Sequence, residues 1–189
     1  MESSTGPTWG RCWRTGRRSL LTVDIRLATE PDLPGIFFIY DREVREGVAT
    51  FDTEVKTAAE RRQWFADHRR PRHPLIVALE ADEIVGWGSL SPWSARCAYI
   101  RTAENSVYVR AGCQGRGIGK ALLADLLERG RAAGLGVIAA RIVEGNPASI
   151  RLHEAFGFET VGVMRRVGEK FGRILDVRIM QRRMDGPAN

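Results

Sequence analysis

The sequence predicts a mixed, mostly antiparallel α/β sheet flanked by about four helices. Three observations carry that prediction. Segments that alternate apolar and polar residues interleave with helix-period stripes in the order βααβββαβαββ, one glycine-rich turn joins a strand to an amphipathic helix at mid-chain, and no change of composition divides residues 23–184.

The first strand is expected at 23–27, where Val23-Asp24-Ile25-Arg26-Leu27 alternates as a half-buried strand does. Thr29, Pro31 and Asp32 then supply a capping hydroxyl, an early proline and an acid three residues on, ahead of the apolar Leu33, Ile36, Phe37 and Tyr40. A helix to Glu46 follows. Thr57 and Glu60 form a second capping box, opening a helix that carries Trp64 and Phe65 and stops before Pro71. Residues 75–79 and 84–90 read as a hairpin, and 106–110 as a further strand. Ile118, Leu122 and Leu126, with Leu123 and Leu127, make a helical stripe ending at Gly134. Strand 137–143 is rich in β-branched residues, Asn146-Pro147 caps another helix, and strands at 160–167 and 174–184 finish the sheet.

The chain has 189 residues, enough for one domain that buries roughly two-thirds of its surface. Residues 1–22 lack periodicity and read as a disordered N-terminal extension; 23–184 form the domain, and 185–189 a short tail. The longest apolar stretches, such as Ile36 to Tyr40, fall far short of the ~20 residues that span a bilayer, and Leu20-Leu21 is too short for a secretory core. Cys12, Cys97 and Cys113 form no C-x-x-C pair, so neither a zinc site nor a disulfide framework is expected, no metal is assigned, and the cytoplasm is the expected compartment. Of the formal charge of +6, half sits in residues 1–22, where four arginines face Glu2. No run of Lys and Arg and no aromatic RNA-binding signature accompanies it, so nucleic acid is not an expected partner.

The sharpest signal is Gln114-Gly115-Arg116-Gly117-Ile118-Gly119-Lys120, between a strand and a helix. Backbone N–H groups at a helix start attract anions, and glycines let a phosphate approach them closely. A nucleoside-triphosphate loop would need Gly and Ser or Thr where Gln114 and Ala121 stand. A dinucleotide fingerprint would need its third glycine at Lys120 or Leu122.

What remains resembles the pyrophosphate loop of the GCN5-related N-acetyltransferase (GNAT) superfamily, and Asn146 through Phe158 is similar to that superfamily's second cofactor segment. Trp93 to Tyr99, Glu104 to Val109, Phe171 to Asp176 and Met180 to Arg182 resemble the phosphinothricin and methionine sulfoximine acetyltransferase branch. The resemblance covers residues 24–184 and implies the GNAT acyl-CoA N-acyltransferase fold. It also implies transfer of acetyl from acetyl-CoA to the amino group of a small amino-acid-like substrate, by direct attack in a ternary complex.

Under that resemblance Gln114, Gly115, Arg116, Gly117, Ile118, Gly119 and Lys120 hold the pyrophosphate, while Val107, Tyr108 and Val109 offer strand backbone to the pantetheine arm. Asn146 and Ser149 join the cofactor set, Asn146 by capping its helix, by contacting the cofactor, or by both. Glu104 alone reads as a solvated carboxylate before a strand; the resemblance makes it the base that the reaction needs. His153 stands where many superfamily members have Tyr, and is either the acid that protonates the departing thiolate or a structural histidine. Arg96 could pair with a substrate carboxylate, with Phe51, Trp93, Tyr99 and Glu104 around the same pocket. Relatives imply a homodimer. Acetylation of a protein N-terminus or an aminoglycoside, and a non-catalytic coenzyme-A-binding module, are the competing readings.

Overall fold

The computed structural model of the chain describes residues 23–184. The expected extension at 1–22, with Cys12, and the tail at 185–189 lie outside the described residues. In chain order the elements are β1 (Asp24–Leu27), α1 (Leu33–Glu46), α2 (Ala58–Asp67), β2 (Leu75–Glu80), β3 (Glu83–Pro92), β4 (Thr102–Val109), α3 (Ile118–Ala132), β5 (Val137–Val143), α4 (Pro147–Ala155), β6 (Glu159–Lys170) and β7 (Arg173–Arg183). The strands form one seven-stranded sheet in the order β1-β2-β3-β4-β5-β7-β6. Every neighbouring pair is antiparallel except β4 and β5, which α3 connects as a βαβ crossover.

The expected N-terminal cap forms as a short 3-10 turn at Glu30–Asp32 that runs into α1. The Asp32 carboxylate accepts from the Thr29 N–H at 2.7 Å and from both Arg26 Nη atoms at 2.7 and 2.8 Å, tying the helix start to β1. The capping box of Thr57 and Glu60 closes reciprocally at the start of α2.

Two apolar layers cover the sheet. On one face Ile36, Phe37 and Ile39 of α1 pack with Val77 and Trp87. On the other, Ile118, Leu122 and Leu126 of α3 lie over β3, where side chains are missing by design of the sequence: a Cβ at Gly86 would stand 3.0 Å from Ile118 and Leu122, and one at Gly88 would stand 3.0 Å from Leu126. Truncating a fully buried leucine such as Leu122 to Ala costs about 2–5 kcal/mol.

Two boundaries differ from expectation. β4 begins at Thr102 rather than 106, because Ala103 through Ser106 continue the antiparallel ladder with β3, so Glu104 lies within the strand and not ahead of it. β6 extends to Lys170 through two register irregularities, with Arg166 at φ 55°, which the alternation pattern does not register.

Candidate active site

The site exists because two neighbouring strands part. The parallel ladder between β4 and β5 holds only Thr102 with Val137, Ala103 with Ile138, and Glu104 with Ala139. Both strands run on without pairing to each other, leaving one edge of residues 105–109 free for a strand-like ligand. At the fork, Asn105 Nδ2 donates to the Ala139 carbonyl at 2.9 Å, taking the acceptor that a continuing ladder would have used. A cleft of about 1130 Å³ opens between the separated strands.

One end of the cleft is the glycine turn. Gly115 and Gly117 have φ of +75° and +88°, which side chains resist, and a Cβ at either would meet nothing within 4 Å. Gly119, in the first turn of α3, faces Leu152 of α4, where a Cβ would make an ordinary contact at 3.4 Å. Gln114 braces the turn, its Oε1 accepting from Gly112 N–H at 2.8 Å and its Nε2 donating to the Val109 carbonyl at 3.4 Å. The free N–H groups at the start of α3, with Lys120 beside them, suit a diphosphate.

At the fork sit the titratable groups. Glu104 is held in a two-point contact by Arg141, Nε to Oε1 at 2.7 Å and Nη2 to Oε2 at 2.5 Å; the Glu104 side chain is 15% exposed and that of Arg141 59%. The carboxylate raises the Arg141 guanidinium further above its ordinary range. His153 is buried, with Nδ1 at 2.8 Å from the Ser149 carbonyl and Nε2 at 3.0 Å from Asn105 Oδ1. Burial pushes the imidazole below its usual range, and the Ser149 carbonyl opposes that push.

The other end is closed by a clamp. Lys170, at the tip of the β6–β7 hairpin, donates to the Thr50 carbonyl at 2.9 Å and the Glu43 carbonyl at 3.1 Å. The Phe51 ring lies against the backbone of Gly168, where any Cβ would overlap it. Tyr40 Oη donates to Asp52 at 2.9 Å and meets Thr50 Oγ1 at 2.8 Å, fixing the same loop from beneath.

The chain matches the Acetyltransferase (GNAT) family over residues 37–158, more than half its length. It belongs to the GNAT acetyltransferase family. The acetyltransferase is 42% identical over 166 residues to the L-methionine sulfoximine/L-methionine sulfone acetyltransferase of Pseudomonas aeruginosa, covering 87% of this chain and 96% of that one. It is 44% identical over 158 residues to the phosphinothricin N-acetyltransferase of Streptomyces coelicolor, covering 82% and 92%. A GNAT phosphinothricin acetyltransferase from Sinorhizobium meliloti, solved with acetyl-CoA, superposes with a TM-score of 0.83 at 38% identity, over 86% of this chain and 88% of that one. The chain is an acetyl-CoA-dependent N-acetyltransferase.

Of the residues named from sequence, Phe51, Glu104, Val107, Tyr108, Val109 and His153 line the acetyltransferase's cleft. So do Gln114, Gly115, Gly117, Ile118, Gly119, Lys120, Asn146 and Ser149. Asn146 caps α4, its Oδ1 accepting from Ser149 N–H at 3.1 Å. Ile118 contributes backbone alone, since its side chain is in the core. Four expected residues do not reach the cleft. Arg116 turns away to pair with Glu80 at the end of β2. Arg96 and Tyr99 are exposed on the loop around the 3-10 turn Cys97–Tyr99. Trp93 lies under the Arg141 guanidinium, 5.8 Å from its ring centroid.

Arg141, Asn105 and Lys170 escaped the sequence reading. Arg141 left a trace, as the one charged residue in the otherwise apolar strand Val137–Val143. Asn105 left a weaker one, a polar residue among the inward positions of β4. Lys170 gave no local signal, because its acceptor Thr50 is 120 residues away.

Among the described residues no cluster of His, Cys, Asp or Glu could hold a metal, and no helix is long and apolar enough to cross a membrane.

Proposed function

We propose that this acetyltransferase acetylates the α-amino group of a small amino acid of the methionine sulfone, methionine sulfoximine or phosphinothricin type. The observation that carries the reading is Glu104, a carboxylate braced by Arg141 at the fork where β4 and β5 part, inside a cleft clamped by Lys170 and Phe51. The relatives' substrates support the amino-acid class.

Bound acetyl-CoA supplies an acetyl group activated as a thioester. The turn at 115–119 and Lys120 hold its diphosphate, and the free edge of β4 at Val107 and Val109 aligns its arm. An α-amine has a pKa near ~7.7–8.0 and is mostly protonated at neutral pH, so it needs a base before it can attack. Glu104 takes that proton directly or through water, while Arg141 fixes its orientation. His153 holds the fork together, and a proton passed to sulfur from its Nε2 requires the bond to Asn105 to open.

Residues 23–184 act as the catalytic unit. We also infer a cytoplasmic homodimer that binds no nucleic acid; Val161, Met164 and Val167, exposed along edge strand β6, supply an apolar face for a second copy, and light scattering measures the mass.

Thiol release from acetyl-CoA with methionine sulfone, methionine sulfoximine and phosphinothricin tests the function. Glu104→Gln should lower kcat by about 10²–10⁴-fold with little change in KM for acetyl-CoA. Full activity in that variant removes the base, and no turnover with any small amino acid sinks the reading.

A further inference from the structure

The contact between Arg141 and Glu104 uses only one edge of the guanidinium. Nε–H and one Nη2–H go to the two carboxylate oxygens, at 2.7 and 2.5 Å. The planar fork has a second edge, made of Nη1 and the remaining Nη2–H, and that edge meets no acceptor among the described residues. It is also within reach: the Arg141 side chain is 59% exposed and lines the cleft. The Trp93 ring, its centroid 5.8 Å away, supports the guanidinium with its face.

Strand register decides which cation of the cleft can meet an amino acid whose amine is held at Glu104. In the parallel ladder Glu104 stands beside Ala139, and alternation along β5 puts Arg141 on that same face of the sheet. The other cations lining the cleft, Lys120 and Arg151, are carried by α3 and α4. Both helices lie on the opposite face. α3 covers Gly86 and Gly88, whose β4 partners Val109 and Val107 alternate with the Glu104 set, and His153 of α4 bonds to Asn105, the next residue along from Glu104. The ammonium of Lys170 is occupied by the Thr50 and Glu43 carbonyls. Arg141 is therefore the cation that shares both a face and a direct contact with the base.

We propose that the free edge of Arg141 binds the α-carboxylate of the substrate, so that the Glu104–Arg141 pair receives an amino acid as a zwitterion, ammonium at Glu104 and carboxylate at Arg141. The inference rests on the amino-acid class proposed above and deepens it by naming the group that reads the free carboxylate. The dimensions agree. The amine nitrogen and a carboxylate oxygen of an α-amino acid lie about 3 Å apart, close to the 2.5 and 2.7 Å across the protein's own pair. Two ion pairs laid head to tail set every charge beside two opposite ones. At the N-terminus of a peptide the carboxylate is replaced by a neutral amide, and the charge-assisted bonds to the fork are lost. Arg141 thus selects free amino acids against peptide N-termini.

The test compares kcat/KM for methionine sulfone and for its carboxamide, in the full chain, in Arg141→Gln and in Arg141→Lys. The unaltered protein should favour the acid at least about tenfold, the fold-change that one charge-assisted hydrogen bond supplies. Arg141→Gln should bring the ratio close to one by raising KM for the acid, while KM for acetyl-CoA holds. Arg141→Lys keeps the charge without the two-edged fork, so its ratio should fall between those two. An arginine that only orients Glu104 would slow both substrates alike, so an undiminished ratio in either variant overturns the proposal. Equal use of acid and carboxamide by the unaltered protein overturns it as well, without any variant having to fold. No turnover of either compound by the unaltered protein removes the amino-acid class itself, a failure distinct from misplacing its carboxylate.

Discussion

Replacing Gly117 with valine separates the turn's backbone demand from its role toward coenzyme A. At φ +88° a β-branched residue is strained by about 1–3 kcal/mol, although nothing lies within 4 Å of the new Cβ to clash with it. Gly134, at the end of α3, has φ +75° and equally open space but does not line the cleft, so Gly134→Val carries the same strain without the site. Each variant should therefore lower the melting temperature by about 2–12 °C, taking about 2–4 °C per kcal/mol for a domain of this size. Only Gly117→Val fills the space that a diphosphate must enter. Losing two charge-assisted N–H bonds, at about 1.5–3 kcal/mol each, weakens coenzyme A binding by roughly 10²–10⁴-fold. Calorimetric titration with coenzyme A reads the difference. Equal affinity in the two variants, with equal loss of thermal stability, would refute the idea that these amides grip the cosubstrate.

Lys170→Met keeps the length of the side chain but removes both donors to the loop that carries Phe51; the amine KM should rise about tenfold while coenzyme A affinity holds, and equal losses in both would disprove a clamp confined to the substrate end. Acid stability should follow Asp32, whose carboxyl Arg26 holds down at about 2 against an ordinary 3.8. Because the folded value lies below the unfolded one, the stabilisation is present above pH ~4 and fades as pH falls toward ~2. With Arg26 40% exposed it amounts to about 1–2 kcal/mol, so urea unfolding of Asp32→Asn should lack that part of the fall between pH 4 and 2.

Local patterns carried most of the fold. The Thr57 to Glu60 box, the Ile118 to Leu126 stripe and the hairpin of β2 and β3 are all short-range signals, and each appears where it was expected. The glycine turn was legible for the same reason, since its strain and its helix start lie within seven residues. The motif around Arg96 names a residue type without fixing where its loop points, and that loop leaves Arg96 exposed outside the cleft lining. The arginine on the Glu104 carboxylate comes from β5, which only the parallel crossover brings beside β4. The Lys170 clamp depends on contacts across more than a hundred residues, which one-dimensional periodicity does not encode.

The opening of the cleft and the state of His153 come from one side chain. Ala139 ends the parallel ladder and needs a donor, and Asn105 supplies it through Nδ2, which turns Oδ1 toward His153 Nε2. The Ser149 carbonyl and Asn105 Oδ1 can both only accept, so bonding to both takes a proton on each ring nitrogen, a charged ring that its burial opposes. The ring is thus tied to α4 at one nitrogen and to β4 at the other, and through Asn105 to β5. Three elements that must stay apart around a bound cosubstrate are joined at the single point where they meet, and the free edge of β4 begins at that residue.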